Sequence, residues 1–156
     1  HGDLPAAVFQ HFSQCDEIWH AGDIGTMDVL EALEAFKPTR AVYGNIDGAT
    51  IRAATAEDLF WECAGLKVMM THIGGYPGRY KPRVRDLLEV YQPGLYICGH
   101  SHILKVMPDK QKGLLHINPG AVGKQGFHQV RTLVRFAVTG GRIQDLEVIE
   151  LGKRTA

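Results

Sequence analysis

Short apolar runs alternate with amphipathic stretches through the first hundred residues, and the two periods predict strands and helices in turn. From Asp3 to Ser13, the apolar positions Leu4, Ala7, Val8 and Phe12 fall at helical spacing, with Asp3 as N-cap and Pro5 in the first turn. Glu17-Ile18-Trp19 reads as a short strand that runs into Ala21-Gly22-Asp23. Thr26 caps a second helix with the face Val29, Leu30, Leu33 and Phe36, stopped by Pro38. Arg40 to Tyr43 is the next strand, entering Gly44-Asn45-Ile46-Asp47-Gly48, and an alanine-rich helical segment follows. Leu59 to Cys63 and Lys67 to Met70 flank Ala64-Gly65 as a hairpin, whose second arm delivers Thr71-His72 to a glycine-rich loop. A helix from Pro82 to Tyr91 then leads to the strand Leu95 to Cys98 and to Gly99-His100-Ser101-His102.

Beyond that motif the pattern turns to strands alone. Ile103 to Met107 and Leu114 to Ile117 are separated by a turn near Asp109 to Gly113, and the second ends in Asn118-Pro119-Gly120. Thr132 to Val138 and Ile143 to Ile149 form a closing hairpin through Thr139-Gly140-Gly141. Trp19, Phe36 and Phe60 are expected in the core. No repeat, linker or low-complexity tract interrupts residues 1–156, so a single domain is expected.

Composition narrows the class. Lys+Arg and Asp+Glu balance at 17 each, so no nucleic-acid surface is evident. Three separated cysteines, Cys15, Cys63 and Cys98, suggest neither a disulfide framework nor a thiolate metal site, and a cytoplasmic setting is expected. No apolar run reaches the roughly 18 residues of a membrane span, so no membrane partner is expected; a homo-oligomer is left open.

Asp23, Asn45, His72, His100 and His102 each follow a short apolar strand in a glycine-containing turn, the place where α/β sheets bind ligands. Taken singly, Gly22-Asp23 and Gly44-Asn45 are ordinary turn signals and His72 could be a buried structural histidine. Taken together they offer imidazole, carboxylate and amide oxygen, the donors of Mn, Fe, Co, Ni or Zn, in a number that exceeds one ion's needs. Two ions about 3.5 to 4 Å apart, with Asp23 between them, would clamp a phosphoryl group for in-line displacement. His11, His20, His116 and His128 fall outside the pattern and read as structural, His128 least securely because its glycine-rich loop could face the site.

The ordered series Gly22-Asp23, Gly44-Asn45, His72, Gly99-His100-Ser101-His102 and Asn118-Pro119-Gly120 resembles the calcineurin-like metallophosphoesterase family, in its small bacterial and archaeal phosphodiesterase branch. The resemblance implies an α/β (α+β) fold with two packed sheets flanked by helices in four layers, αββα. It implies two divalent ions, with manganese the leading choice over Zn, Fe, Ni or Co. Asp23 would bridge the ions, Asn45, His72 and His100 would hold the second, and His102 and His1 the first. The implied activity is hydrolysis of a small phosphate ester, most naturally a diester, by a hydroxide bridging the ions, with Asp23, Asn45 and His72 at the catalytic centre. Some relatives keep the fold as a non-catalytic interaction scaffold, and a metallo-hydrolase of a non-phosphate ester is a weaker third reading.

Two departures from the family stand out. The family opens with a core strand ending in Asp-x-His-Gly, of which His1-Gly2 are present, so an upstream strand with an Asp two positions before His1 is expected in the working protein. Many relatives carry Gly-Asn-His with an acid role for that histidine, whereas Ile46 stands there and Asp47 is a candidate substitute. Arg79 and Lys81, together with backbone donors of the Gly74-Gly75 and Asn118-Pro119-Gly120 loops, are candidate contacts for substrate phosphate.

Overall fold

A computed structural model describes Gly2 and residues 4–155. Four layers stack in it. Helices α1 (Ala6–His11), α2 (Met27–Phe36) and α3 (Ala49–Ala54) cover a layer made of the parallel pair β1 (Ile18–His20) and β2 (Thr39–Ala41) and the hairpin β8 (Val130–Thr139) and β9 (Arg142–Lys153). The next layer is a five-stranded sheet in the order β3-β4-β5-β7-β6, formed by β3 (Asp58–Cys63), β4 (Leu66–Thr71), β5 (Leu95–Ile97), β6 (Lys105–Asp109) and β7 (Leu114–Asn118). Helix α4 (Pro82–Tyr91) packs on its far face. This is the expected αββα arrangement.

Strand β4 shows how the sequence builds the layers. Its central strand position requires apolar side chains on both faces. Val68 and Met70 point into the core between the sheets, while Met69 points toward Val84 and Leu88 of α4, and all three methionine and valine side chains are fully buried. Burial of each such side chain contributes about 1.5–3 kcal/mol. Strands β4, β5 and β7 run parallel, with Val68 opposite Leu95 and Leu95 opposite Leu115, so their carboxyl ends open on one side. β1 and β2 are also parallel, with Trp19 opposite Arg40.

Both hairpins follow the sequence pattern. Ala64 and Gly65 have φ of 45° and 85°, and Gly140 and Gly141 have 56° and 77°, the left-handed pair that lets a two-residue turn match the twist of its strands. Four expectations shift. The first helix starts at Ala6, with Pro5 at its cap position; the expected cap Asp3 lies outside the described residues. β1 covers Ile18–His20 rather than starting at Glu17. β6 starts at Lys105, paired with Asn118, which leaves Ile103 and Leu104 exposed in the loop that follows the left-handed turn at His102. Phe60 is 43% exposed on the outer face of β3, its ring edge-on to Tyr91, so it is not a core residue. No described helix is long and apolar enough to cross a membrane.

Candidate metal centre

Four parallel strands, β1, β2, β4 and β5, each end in a turn that presents one donor: Asp23, Asn45, His72 and His100 respectively. The ligand atoms of Asp23, His72 and His100 all lie within 4.8 Å of one another. His72 Nε2 is 3.3 Å from Asp23 Oδ2 and 3.0 Å from Asn45 Oδ1, and His100 Nδ1 is 3.1 Å from the same Asn45 oxygen. His102 enters the same cleft, of about 150 Å3, whose wall includes Asp23, His72 and His100. His1 lies outside the described residues.

Protons decide what this cluster is suited to hold. His72 Nδ1 sits 2.7 Å from the carbonyl oxygen of Ala21, an obligate acceptor, so Nδ1 carries the ring hydrogen. Nε2 then faces two oxygens with its lone pair, an arrangement that a cation resolves and that a neutral network does not. A ring nitrogen held by a backbone carbonyl while the other meets a metal is the usual support for a histidine ligand. The residues therefore fit a divalent ion of borderline softness.

The backbone is bent to make the cluster. Asp23, His100 and His102 have φ of 58°, 70° and 61°, three of the six non-glycine residues with positive φ among those described. Side chains in this region carry a cost that a fold retains mainly where geometry is functional. Glycines supply the remaining room. A Cβ on Gly22 would lie 2.4 Å from His72 Nδ1, one on Gly44 would lie 2.0 Å from Asp23 Oδ1, and one on Gly126 would lie 2.2 Å from His102 Nδ1.

Charge follows the same geometry. Burial opposes ionisation of Asp23, but in the absence of a cation a proton on His72 Nε2, by hydrogen bond and by charge, together with the Ile46 amide 3.3 Å from Oδ1, outweighs it and holds the carboxyl below its usual pKa. Burial lowers the pKa of His100, with His72 adding to the effect, and burial lowers that of His102, with His128 adding to it. Both rings are thus biased to the neutral, ligating form.

Several supporting residues were invisible as such in the sequence. Asp47, a candidate proton donor there, accepts hydrogen bonds from the amides of Ile24 (3.1 Å), Gly25 (2.8 Å) and Gly44 (2.8 Å). Three donors on one buried carboxylate leave it as a brace between the Asp23 and Asn45 turns rather than an acid. Asn118 plays the corresponding part for the His100 turn: its Nδ2 donates to the Gly99 carbonyl (3.0 Å) and to Ser101 Oγ (3.1 Å), and its Oδ1 accepts from Gly120 N (3.0 Å). The Gly120 amide is therefore occupied, which removes it from the expected phosphate contacts. His20 is partly buried, desolvation lowers its pKa to about 4, and its Nδ1 accepts from Gly22 N at 3.1 Å, fixing the turn before Asp23. His128 backs His102, ring centroids 5.1 Å apart, and its Nε2 contacts the Gly123 carbonyl. His116 is a buried structural histidine on β7.

Residues 1–141 match the family model of the calcineurin-like phosphoesterase superfamily domain. A probable metallophosphoesterase of Methanocaldococcus jannaschii is 31% identical over 120 residues, which cover 76% of this chain and 59% of that relative. The fold is shared with a novel archaeal phosphodiesterase (TM-score 0.72, 19% identity, 93% of this chain and 90% of that one). It is shared also with Vps29 of Entamoeba histolytica in complex with Zn2+ (TM-score 0.71, 13% identity, 95% and 90%). Donors at the strand ends, glycines cut to their shapes and a family match over most of the length agree, and the chain belongs to the calcineurin-like phosphoesterase superfamily.

Proposed function

We propose that the protein is a dinuclear metal-dependent phosphodiesterase. The observation that carries this reading is the meeting of His72 Nε2, His100 Nδ1, Asp23 Oδ2 and Asn45 Oδ1 around one point with the His72 proton turned away. Asp23, Asn45, His72 and His100 would hold one ion. His102 would contribute to a second, with Asp23 shared and His1 as a further ligand. When bound, the ions supply Lewis acidity, a lowered pKa for a coordinated water and compensation of phosphate charge. Manganese is the proposed ion, since the set contains nitrogen and oxygen and no thiolate.

The chain's own residues do the rest. The depressed carboxyl of Asp23 stays ionised across the working pH range. His72 is fixed in orientation by Ala21, and Asp47 and Asn118 lock the three turns so that donors need little reorganisation on binding. Lys81 is near enough to His100 to lower its pKa, and its exposed ammonium is placed to attract a phosphate anion. With Ile46 beside Asn45 and Asp47 committed to amides, this turn provides no acid for the leaving group. Esters with good leaving groups should be preferred, because general-acid assistance is worth about 10² to 10⁴ in rate.

We further propose that an extended segment lies between β1 and β8. The support is their edges, each paired on one side only among the described residues, and a cavity of about 590 Å3 lined by Ile18, Trp19, Val134 and Phe136. Slow amide exchange at Ile18 and Val134 in the protein would support this placement, and fast exchange at both would contradict it.

The activity is tested with manganese-loaded protein and a 4-nitrophenyl diester beside the corresponding monoester. Hydrolysis of the diester, lost by at least about 10²-fold in both His100→Ala and His102→Ala, with metal content lowered in each and the fold kept, is expected. Wild-type turnover and full metal content in both variants would refute the assignment. Folded, metal-loaded wild-type protein without hydrolysis would favour the scaffold reading.

A further inference from the structure

Three of the five donor turns continue into an exposed apolar side chain, whereas Asp23 is followed by buried Ile24 and His100 by Ser101. Ile46 follows Asn45, Ile73 follows His72 and Ile103 follows His102, and they are 47%, 36% and 62% exposed. Phe127, fully exposed, sits between Gly126, which abuts the His102 ring, and His128, which packs on it. Turns of this kind ordinarily place polar residues in water. Four apolar side chains on four separate loops, each next in the chain to a donor or to a neighbour of the His102 ring, are not explained by core packing, since none is buried.

The loops are also held side by side. Lys105 lies over the Tyr76 ring at 4.9 Å from its centroid, joining the loop after His72 to the strand that follows Ile103. Tyr76 is itself 44% exposed and adds an aromatic face to the rim. The cavity of about 150 Å3 beside the donors is walled by core residues such as Leu4, Val8, Leu33 and Leu133, and none of these exposed side chains lines it. Ile46, Ile73 and Ile103 are each adjacent in the chain to a donor, so the organic substituents of an ester held by the donors would lie beside them. The balanced charge of 17 and 17 argues against a long polyanion as the natural occupant.

We infer that this rim is a specificity subsite for a flat apolar or aromatic substituent of a small phosphodiester. The inference rests on the phosphodiesterase reading for the placement of the phosphate, and it adds the class of organic group. A planar ring laid across Ile73 and Ile103 removes apolar area from water on both partners. A methyl group at the same position covers almost none of it.

Binding tests this without turnover. Titration calorimetry compares diphenyl phosphate with dimethyl phosphate on the manganese-loaded protein, so neither leaving-group chemistry nor rate enters. Wild type should favour the diphenyl ester by about tenfold or more in Kd, the scale at which apolar pockets discriminate. The double variant Ile73→Ser/Ile103→Ser should bring the ratio to within about threefold, and Val90→Ser, which removes an exposed valine on α4 away from the cleft, should leave it as in wild type. Equal affinities in wild type, absence of binding by either ester, or an undiminished preference in the double variant would overturn the inference. A wild-type dimer dissolved by the double variant, with equal ester affinities, would overturn it too and assign the rim to a second copy of the chain. An intact binding preference without hydrolysis of any 4-nitrophenyl ester would leave the subsite standing and remove the phosphodiesterase reading instead.

Discussion

The two flanks of the cleft are built by different means. On the Asn45 flank, donors come from the ends of four parallel strands, and their turns are cross-linked by Asp47 and by the His72 hydrogen bond to Ala21. On the other flank His102 is itself a left-handed residue in a loop, and its neighbours are the His128 ring and the Gly126 backbone. Strand ends are held by the ladder hydrogen bonds behind them, whereas a loop is held only by its own contacts. The first flank is preorganised by the sheet and the second by side-chain packing, so equal perturbations should have unequal effects.

Adding one methyl group to each flank gives the largest expected effect. Gly44→Ala drives a Cβ to 2.0 Å from Asp23 Oδ1 and 2.3 Å from its backbone nitrogen, neither of which can yield without moving the shared carboxylate. Activity should fall by about 10³-fold, given that a misplacement of 1 Å costs about 10²-fold and this one would move the carboxylate proposed to serve both ions. Gly126→Ala meets the far more adjustable His102 ring at 2.2 Å, although φ of +118° adds backbone strain. Its loss should be about 10- to 100-fold, with metal content falling toward one ion per chain. Metal analysis and kcat/KM on the same preparations check both; equal losses would erase the distinction between the flanks.

How the flanks compare in the sequence is instructive. The run-glycine-donor pattern exposed Asp23, Asn45, His72 and His100 because it is local: an apolar strand and the polar residue beyond it are adjacent in the chain. The boundary of α4, Pro82–Tyr91, and both hairpin turns were legible for the same reason. The braces were not. Asp47 reads as half of a turn signal until β1 and β2 are known to be neighbours, since its partners Ile24 and Gly25 are more than 20 residues away. Asn118 likewise acquires its role only when β7 is placed beside β5. Ile103 and Leu104 read as strand because they are apolar, and nothing local shows that they stay exposed in the loop before β6 instead.

A smaller effect separates the cleft from the core that supports it. Burial lowers the pKa of His116, on β7, to about 4, whereas in the unfolded chain it returns to about 6.5. A depressed folded pKa means that the unfolded state binds the proton first. Stability from this residue is therefore complete above about pH 6.5, declines as pH falls toward 4, and levels off below. His20, with the same depression, acts in the same window. Thermal unfolding of wild type should show Tm falling between pH 6.5 and 4, and His116→Gln should flatten that slope at some cost in Tm at neutral pH. A slope identical to that of wild type would show that His116 is not buried as a neutral ring.

The central claim is that Asp23, Asn45, His72 and His100 converge on one ion. Anomalous X-ray scattering from crystals grown with manganese tests it most directly. The account predicts a peak at bonding distance from Oδ of Asp23 and Asn45, Nε2 of His72 and Nδ1 of His100, with His72 Nδ1 still on the Ala21 carbonyl. A manganese peak elsewhere, or His72 turned so that Nδ1 faces the ion, would contradict it.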